Sequence, residues 1–219
     1  MYALGMGESS VQFRVEAPIS VLRAMSMPVD ICAWQHRDEH GLILPWYTKP
    51  MQDVLVTWPL EEWSEYEHGA GWSTLWYASR CRSVVSVDNN AAWVDSLRKA
   101  APANVAVHHH DDQPSYIRAI DAYGKFDLII VDGAWRECCA PKVMEHIKPG
   151  GYVILDNAEQ DGWLRPMMET FKYNEHHSYP MPNHPHWRTD YWKVTVFDRW
   201  DDVNQEAANR AEEKRRGQW

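Results

Sequence analysis

The sequence predicts an α/β fold: a doubly wound, mainly parallel sheet of about seven strands with helices on both faces. Three observations predict it. Short apolar or β-branched runs at 83–87, 105–108, 126–131 and 152–155 alternate with segments of helical periodicity. A glycine turn, Glu67-His-Gly-Ala-Gly-Trp-Ser-Thr74, stands between an early strand and a helix. Acidic residues, Asp88, Asp132 and Asp156, follow three of the apolar runs, where parallel strands would end on a common rim.

Residues 1–45 read as an N-terminal extension or lid. Val11, Phe13 and Val15 alternate like a strand, and 19–25 suits a short helix after Pro18. The stretch Leu44 to Pro50 is a stiff connector, followed by helical spacing through Met51, Val54, Leu55 and Trp58 up to Pro59. The main domain is expected over 46–199. Its strands are Trp63–Tyr66, Ser83–Val87, Val105–His108, Phe126–Val131 and Tyr152–Leu155, with a further strand at Lys193–Phe197. The 126–131 run is apolar throughout, as a strand buried on both faces should be. Helices are expected at Thr74–Arg80 with Ser73 as N-cap, Ala91–Ala100, Ser115–Tyr123, Pro141–Ile147 and Trp163–Phe171. The segment Tyr179 to Tyr191, with three prolines, two histidines and Trp187, reads as a lid or binding loop. A charged tail, 200–219, closes the chain.

At 219 residues with 45% apolar content, the chain can fill one core. The 22 basic and 31 acidic residues leave a net charge of −9, which disfavours a nucleic-acid partner bound through phosphates. Four cysteines, Cys32, Cys81, Cys138 and Cys139, form no Cys-x-x-Cys pair or disulfide framework. No run approaches transmembrane length and no secretory leader is evident. These features predict a soluble cytoplasmic protein with no membrane partner. They assign no oligomeric state.

Gly69 and Gly71 let the backbone approach a ligand, and the following helix aims its first N–H groups at that point. The third glycine of a pyrophosphate-binding turn is replaced by Thr74, and Glu67 would repel phosphate. The turn therefore suits a ligand bearing an ammonium or sulfonium group. An ordinary strand–helix turn is the alternative. Asp88 can accept two hydrogen bonds from a ribose diol, or it and Asn89 can cap the next helix. His108, His109 and His110 alternate across a strand, so they cannot all converge on a metal, whereas Asp111 and Asp112 lie where a cofactor base would sit. Asp132, Asp156 and Asn157 offer three oxygen ligands suited to Mg²⁺ or Ca²⁺. Alternatively Asp132 orients substrate while the Asp156-Asn157 pair turns the chain.

The ordered series Glu67-x-Gly-x-Gly-x-Ser-Thr, Ser86-Val-Asp, His110-Asp-Asp, Phe126-Asp-Leu-Ile-Ile-Val-Asp-Gly and Lys148-Pro-Gly-Gly-Tyr-Val-Ile-Leu-Asp-Asn resembles the class I S-adenosylmethionine-dependent methyltransferases over 63–157. Its second half is similar to divalent-metal-dependent O-methyltransferases acting on catechols and macrolide sugars. The resemblance implies S-adenosylmethionine as cofactor, held by Glu67, Gly69, Gly71, Ser73, Thr74, Asp88, Asn89, Asp111 and Asp112. Glu67 would serve the cofactor's amino-acid end through water. It also implies Mg²⁺ on Asp132, Asp156 and Asn157 beside a small-molecule hydroxyl, sugar included. Where the catechol enzymes carry a lysine base, this chain has Trp135 followed by Arg136, which points away from catechol. Without metal, Asp132 is the catalytic base, with His184 or His186 of the lid as alternatives. Trp72, Trp135 and Trp187 are candidate walls of the site. Two rival functions remain compatible with the sequence. One is another nucleotide cofactor on the same fold, for aminopropyl transfer or NAD-linked chemistry. The other is a non-catalytic module that binds a partner through its Trp-rich surface.

Overall fold

A computed structural model describes residues 41 and 43–196. The expected strand at 11–15, the helix at 19–25 and the tail lie outside the described residues. The described elements are α1 (Lys49–Leu55), a 3-10 turn (Leu60–Glu62), β1 (Ser64–His68), α2 (Trp72–Ala78), β2 (Ser83–Asp88) and α3 (Ala91–Ala100). They continue with β3 (Val105–His109), α4 (Gln113–Arg118) with a 3-10 extension (Ala119–Ala122), β4 (Phe126–Val131) and α5 (Arg136–His146). The last are β5 (Ile147–Leu155), α6 (Asp161–Thr170), β6 (Glu175–Met181) and β7 (His184–Lys193).

The strands form one sheet in the order β3-β2-β1-β4-β5-β7-β6. The first five are parallel, and β7 runs antiparallel to both β5 and β6. Strand order reverses between β1 and β4, which opens a crevice at their carboxyl ends.

Side-chain alternation divides the core into two faces. Leu128, Ile130 and Ile154 pack with Tyr47, Met51 and Leu55 of the α1 region and with Trp76 and Tyr77 of α2. Ile129, Val131, Val153 and Leu155 face the opposite way, against Tyr116 of α4, Cys139 and Val143 of α5 and Met167 of α6. A third cluster joins α2 to α3 through Leu75, Val94 and Leu97.

Several boundaries differ from expectation for identifiable reasons. The central strand is Ser-Glu-Tyr-Glu-His, buried at every position although few of its residues are apolar. Ser64 bonds Asp127, and Glu67 accepts from the hydroxyls of Ser73, Thr74 and Ser86, contacts that local sequence cannot display; the side chains of Glu65 and His68 find no hydrogen-bond partner among the described residues. Helix α2 begins two residues earlier than expected, because the N-cap is Gly71, whose N–H donates to Thr74 Oγ1 at 2.8 Å. Helix α5 starts at Arg136, so Pro141 lies within it.

The expected loop over 179–191 is instead most of the β6–β7 hairpin, turning through Pro182 and Asn183. Asn183 takes a left-handed conformation there, φ +66°. The prolines misled because Pro180 lies on the edge strand, where a missing N–H costs no ladder bond, and Pro182 lies in the turn. The strand expected at 193–197 accordingly lies earlier, at His184–Lys193.

Candidate active site at the carboxyl rim of the sheet

The rim is assembled by backbone bonds between strand tips. The N–H of Asp132 donates to His68 O at 2.8 Å, those of Gly69 and Ala70 to Val87 O, and that of Asp156 to Val131 O. The ends of β1, β2, β4 and β5 are thereby set side by side. Above them lies a cavity of about 690 Å³, within the range of small-molecule and cofactor sites. Its floor is Gly69, Ala70, Gly71, Asp132 and Gly133. Asp88, Arg136, Asp156, Asn157 and Glu159 stand around it, and Leu44, Trp46, Trp72, Trp93, His186 and Trp187 form its walls.

Of the residues expected to hold a cofactor, Gly69, Gly71, Ser73 and Asp88 line this cavity. Asp88 Oδ1 also accepts the Asn90 N–H at 2.8 Å, and burial raises its pKa. The helix cap expected from Asp88 or Asn89 comes from Asn90, which accepts the Trp93 N–H. Asn89, Asp111 and Asp112 are exposed and outside the lining. Asp112 instead caps α4, accepting the Ser115 N–H at 3.0 Å.

Glu67 and Thr74 lie beneath the turn and are fully buried. Glu67 Oε1 accepts from the Ser73 hydroxyl, and Oε2 accepts from the hydroxyls of Thr74 and Ser86. Both carboxylate oxygens are thus committed within the protein, so Glu67 braces the turn from below. Burial pushes its pKa up to about 7 against the opposing pull of the three hydroxyls. Glu67, expected to serve the cofactor's amino-acid end through water, lies below the turn and outside the cavity lining. The sequence offered the signal, since Ser73, Thr74 and Ser86 are hydroxyl residues on the two neighbouring elements.

Two further residues were overlooked as parts of the site. Trp93 of α3 donates its indole N–H to Ala70 O and lines the cavity. Trp93→Phe is expected to cost about 1 kcal/mol of stability through that lost bond, checked by denaturant titration.

The second is Arg136. Its Nε donates to Gly133 O at 2.9 Å, and Nη1 donates to Asp156 O at 2.7 Å and to Asn157 Oδ1 at 3.0 Å. Its Nη2 donates to Asp132 O at 2.5 Å and pairs with Asp132 Oδ1 at 3.0 Å.

The residues expected to bind Mg²⁺ therefore already surround a cation. Asp132 and Asn157 turn side-chain oxygens to the guanidinium, and Asp156 Oδ1 accepts the Thr189 hydroxyl at 2.7 Å. This arrangement does not fit a divalent ion, because ligand oxygens that a metal would need face Arg136. Burial raises the pKa of Asp132 to about 6, and the guanidinium opposes that rise. The pKa of Asp156 is raised well above the ordinary value, by burial first and then by the charge of Asp132.

Of the expected walls, Trp72 and Trp187 line the cavity, whereas Trp135 packs edge-on against Tyr116 behind it. His186 reaches the cavity. His184 lies with Asn183 in a separate recess by the hairpin turn.

No family model and no curated protein sequence matches the chain. Solved structures do. An O-methyltransferase from Bacillus cereus, solved with SAH, superposes with TM-score 0.54 at 18% identity over 69% of this chain and 84% of that one. A precorrin-6y methyltransferase from Geobacter metallireducens gives 0.53 at 13% identity over 74% and 94%. A precorrin-8w decarboxylase from Methanobacterium thermoautotrophicum gives 0.50 at 15% over 73% and 96%. The chain spans 40% of a T. thermophilus 16S rRNA methyltransferase, at a TM-score of 0.49. The chain therefore has the Rossmann-like fold of the class I S-adenosylmethionine-dependent methyltransferases. At these identities the likeness concerns the fold, and the reactions named for these neighbours differ.

Proposed function

We propose that the protein transfers a methyl group from S-adenosylmethionine to a hydroxyl of a small molecule, a sugar being the first candidate. The observation that carries this reading is the charge pattern of the cavity. Asp88, Asp132, Asp156 and Glu159 surround it, and the one cation among its described lining residues, Arg136, directs its donors to protein oxygens. Such a field favours a sulfonium and an ammonium group and offers a pyrophosphate little, which weighs against NAD. Asp88 stands at the β2 tip, where its carboxylate can take both hydroxyls of the ribose.

Methyl transfer is an in-line displacement, and the protein's task is to align the acceptor and exclude water. Asp132 faces the cavity with a pKa near 6, suited to general-base work close to neutrality. Arg136 engages its Oδ1, leaving Oδ2 to receive the acceptor's proton. The acceptor oxygen then bonds to the methyl carbon as the carbon–sulfur bond breaks, releasing S-adenosylhomocysteine. His186 is the second candidate for the base. No step is assigned to Mg²⁺.

Calorimetric titration with S-adenosylmethionine and with NAD tests the reading. S-adenosylmethionine should bind, and Asp88→Ala should weaken it between tenfold and a hundredfold by removing hydrogen bonds to a charged group. Binding of NAD alone would refute the cofactor assignment. A protein that binds neither would be better read as a non-catalytic module.

A further inference from the structure

We propose that Arg136 is a built-in cation occupying the position at the β4 and β5 tips that a divalent metal would otherwise take, so that the site is metal-free by construction. The argument begins with donor counting. A guanidinium has five N–H groups and no acceptor. In this protein Nε serves Gly133 O, Nη1 serves Asp156 O and Asn157 Oδ1, and Nη2 serves Asp132 through its backbone and side-chain oxygens. The five oxygens come from two strand ends that carry no direct side-chain bridge to each other among the described contacts. A point charge of two units could hold them, and the planar fork does so instead.

Two further observations support an evolved seat rather than a chance contact. Arg136 is only 9% exposed, and its guanidinium lies 4.4 Å from the ring centroid of Trp163 on α6. The backbone on both sides of it is also unusual. Trp135 (φ +50°) and Asn157 (φ +52°) take left-handed conformations that non-glycine residues seldom adopt. Trp135 starts α5 so that Arg136 turns back over the tip of β4, and Asn157 brings its amide oxygen to Nη1. Strain of this kind persists only where surrounding contacts over-determine it.

The inference rests on the geometry of these two tips and not on methyl transfer, so a failure of S-adenosylmethionine to bind would leave it standing. The test uses the full chain and Mn²⁺, with free Mn²⁺ followed by electron paramagnetic resonance. The wild-type protein should show no site that Asp132→Asn removes. Arg136→Ala should gain a site at least tenfold tighter than anything in the wild type, and Arg136→Ala/Asp132→Asn should lose it again. The surface group Asp121, Glu145 and His146 is present in every variant, so it cancels from the comparison. If Arg136→Ala is poorly folded, a rise in its Tm on adding Mn²⁺ supports the proposal and an unmoved Tm overturns it. Wild-type Mn²⁺ binding abolished by Asp132→Asn would overturn it directly, as would a folded Arg136→Ala that gains no site.

Discussion

Gly69→Ala is expected to destabilise the protein by about 2–6 kcal/mol, enough to unfold a marginal domain. Two independent costs add. Gly69 has φ +105°, a conformation strained for any L side chain at about 1–3 kcal/mol. A Cβ there would also lie 2.6 Å from Gly133 Cα, with Gly133 N closer still. Those are backbone atoms at the tip of β4 and cannot swing aside, so overpacking adds about 1–3 kcal/mol. The contact is reciprocal, since a Cβ on Gly133 would lie 2.6 Å from Gly69 Cα. Gly69 is thus required by the approach of one strand tip to another, and the cavity floor depends on that approach. Gly162→Ala is the control. It lies in α6 with no atom within 4 Å of the added carbon, so alanine should be neutral or stabilise by up to about 1 kcal/mol. Equal losses for the two variants in urea titrations would refute the argument.

The second large effect is a loss of stability on going from acid to neutral pH, with Glu67 as a principal cause. Its folded pKa is raised from an ordinary 4.5 to about 7 by burial. A raised carboxyl binds more protons in the folded state than in the unfolded one, so stability falls as pH rises through this interval. The contribution is fully present below pH 4.5 and is lost by the time pH passes about 7. A shift of this size corresponds to about 3 kcal/mol. Glu65 acts in the same direction. It is fully buried, its carboxyl has no hydrogen-bond partner among the described residues, and burial raises its pKa well above the ordinary value, with Glu67 adding to the rise. Unfolding free energies at pH 5 and pH 8 should therefore differ less in Glu67→Gln than in the wild type, by about 3 kcal/mol. Parallel profiles would show that Glu67 does not titrate in this range.

The alternation of strand and helix, the apolar β4 and the acidic residues at the rim were legible because each is a local pattern. Burial on two faces imposes a continuous apolar run on Phe126–Val131, and such a run needs no knowledge of its neighbours. The β6–β7 hairpin was not legible, because Pro180 is tolerable there only on an edge strand and edge position is a property of the whole sheet. Strand β1 was legible as a strand, but the fate of its polar residues was not. Its glutamates look unfit for a core until Ser73, Thr74 and Ser86 are brought around one of them and burial raises the pKa of the other.

The site divides the same way. By itself the sequence determined the order of the rim residues, placing Gly69, Gly71, Asp88, Asp132 and Asp156 where parallel strands end, since strand direction and length fix which residue emerges at each tip. Only the tertiary structure decided which of their atoms remain available to a ligand. It turned Glu67 inward onto three hydroxyls and directed Arg136 onto Asp132, Asp156 and Asn157. The physical reason is that a hydrogen bond or ion pair is settled by distance in space, and these partners lie up to 21 residues apart in the chain.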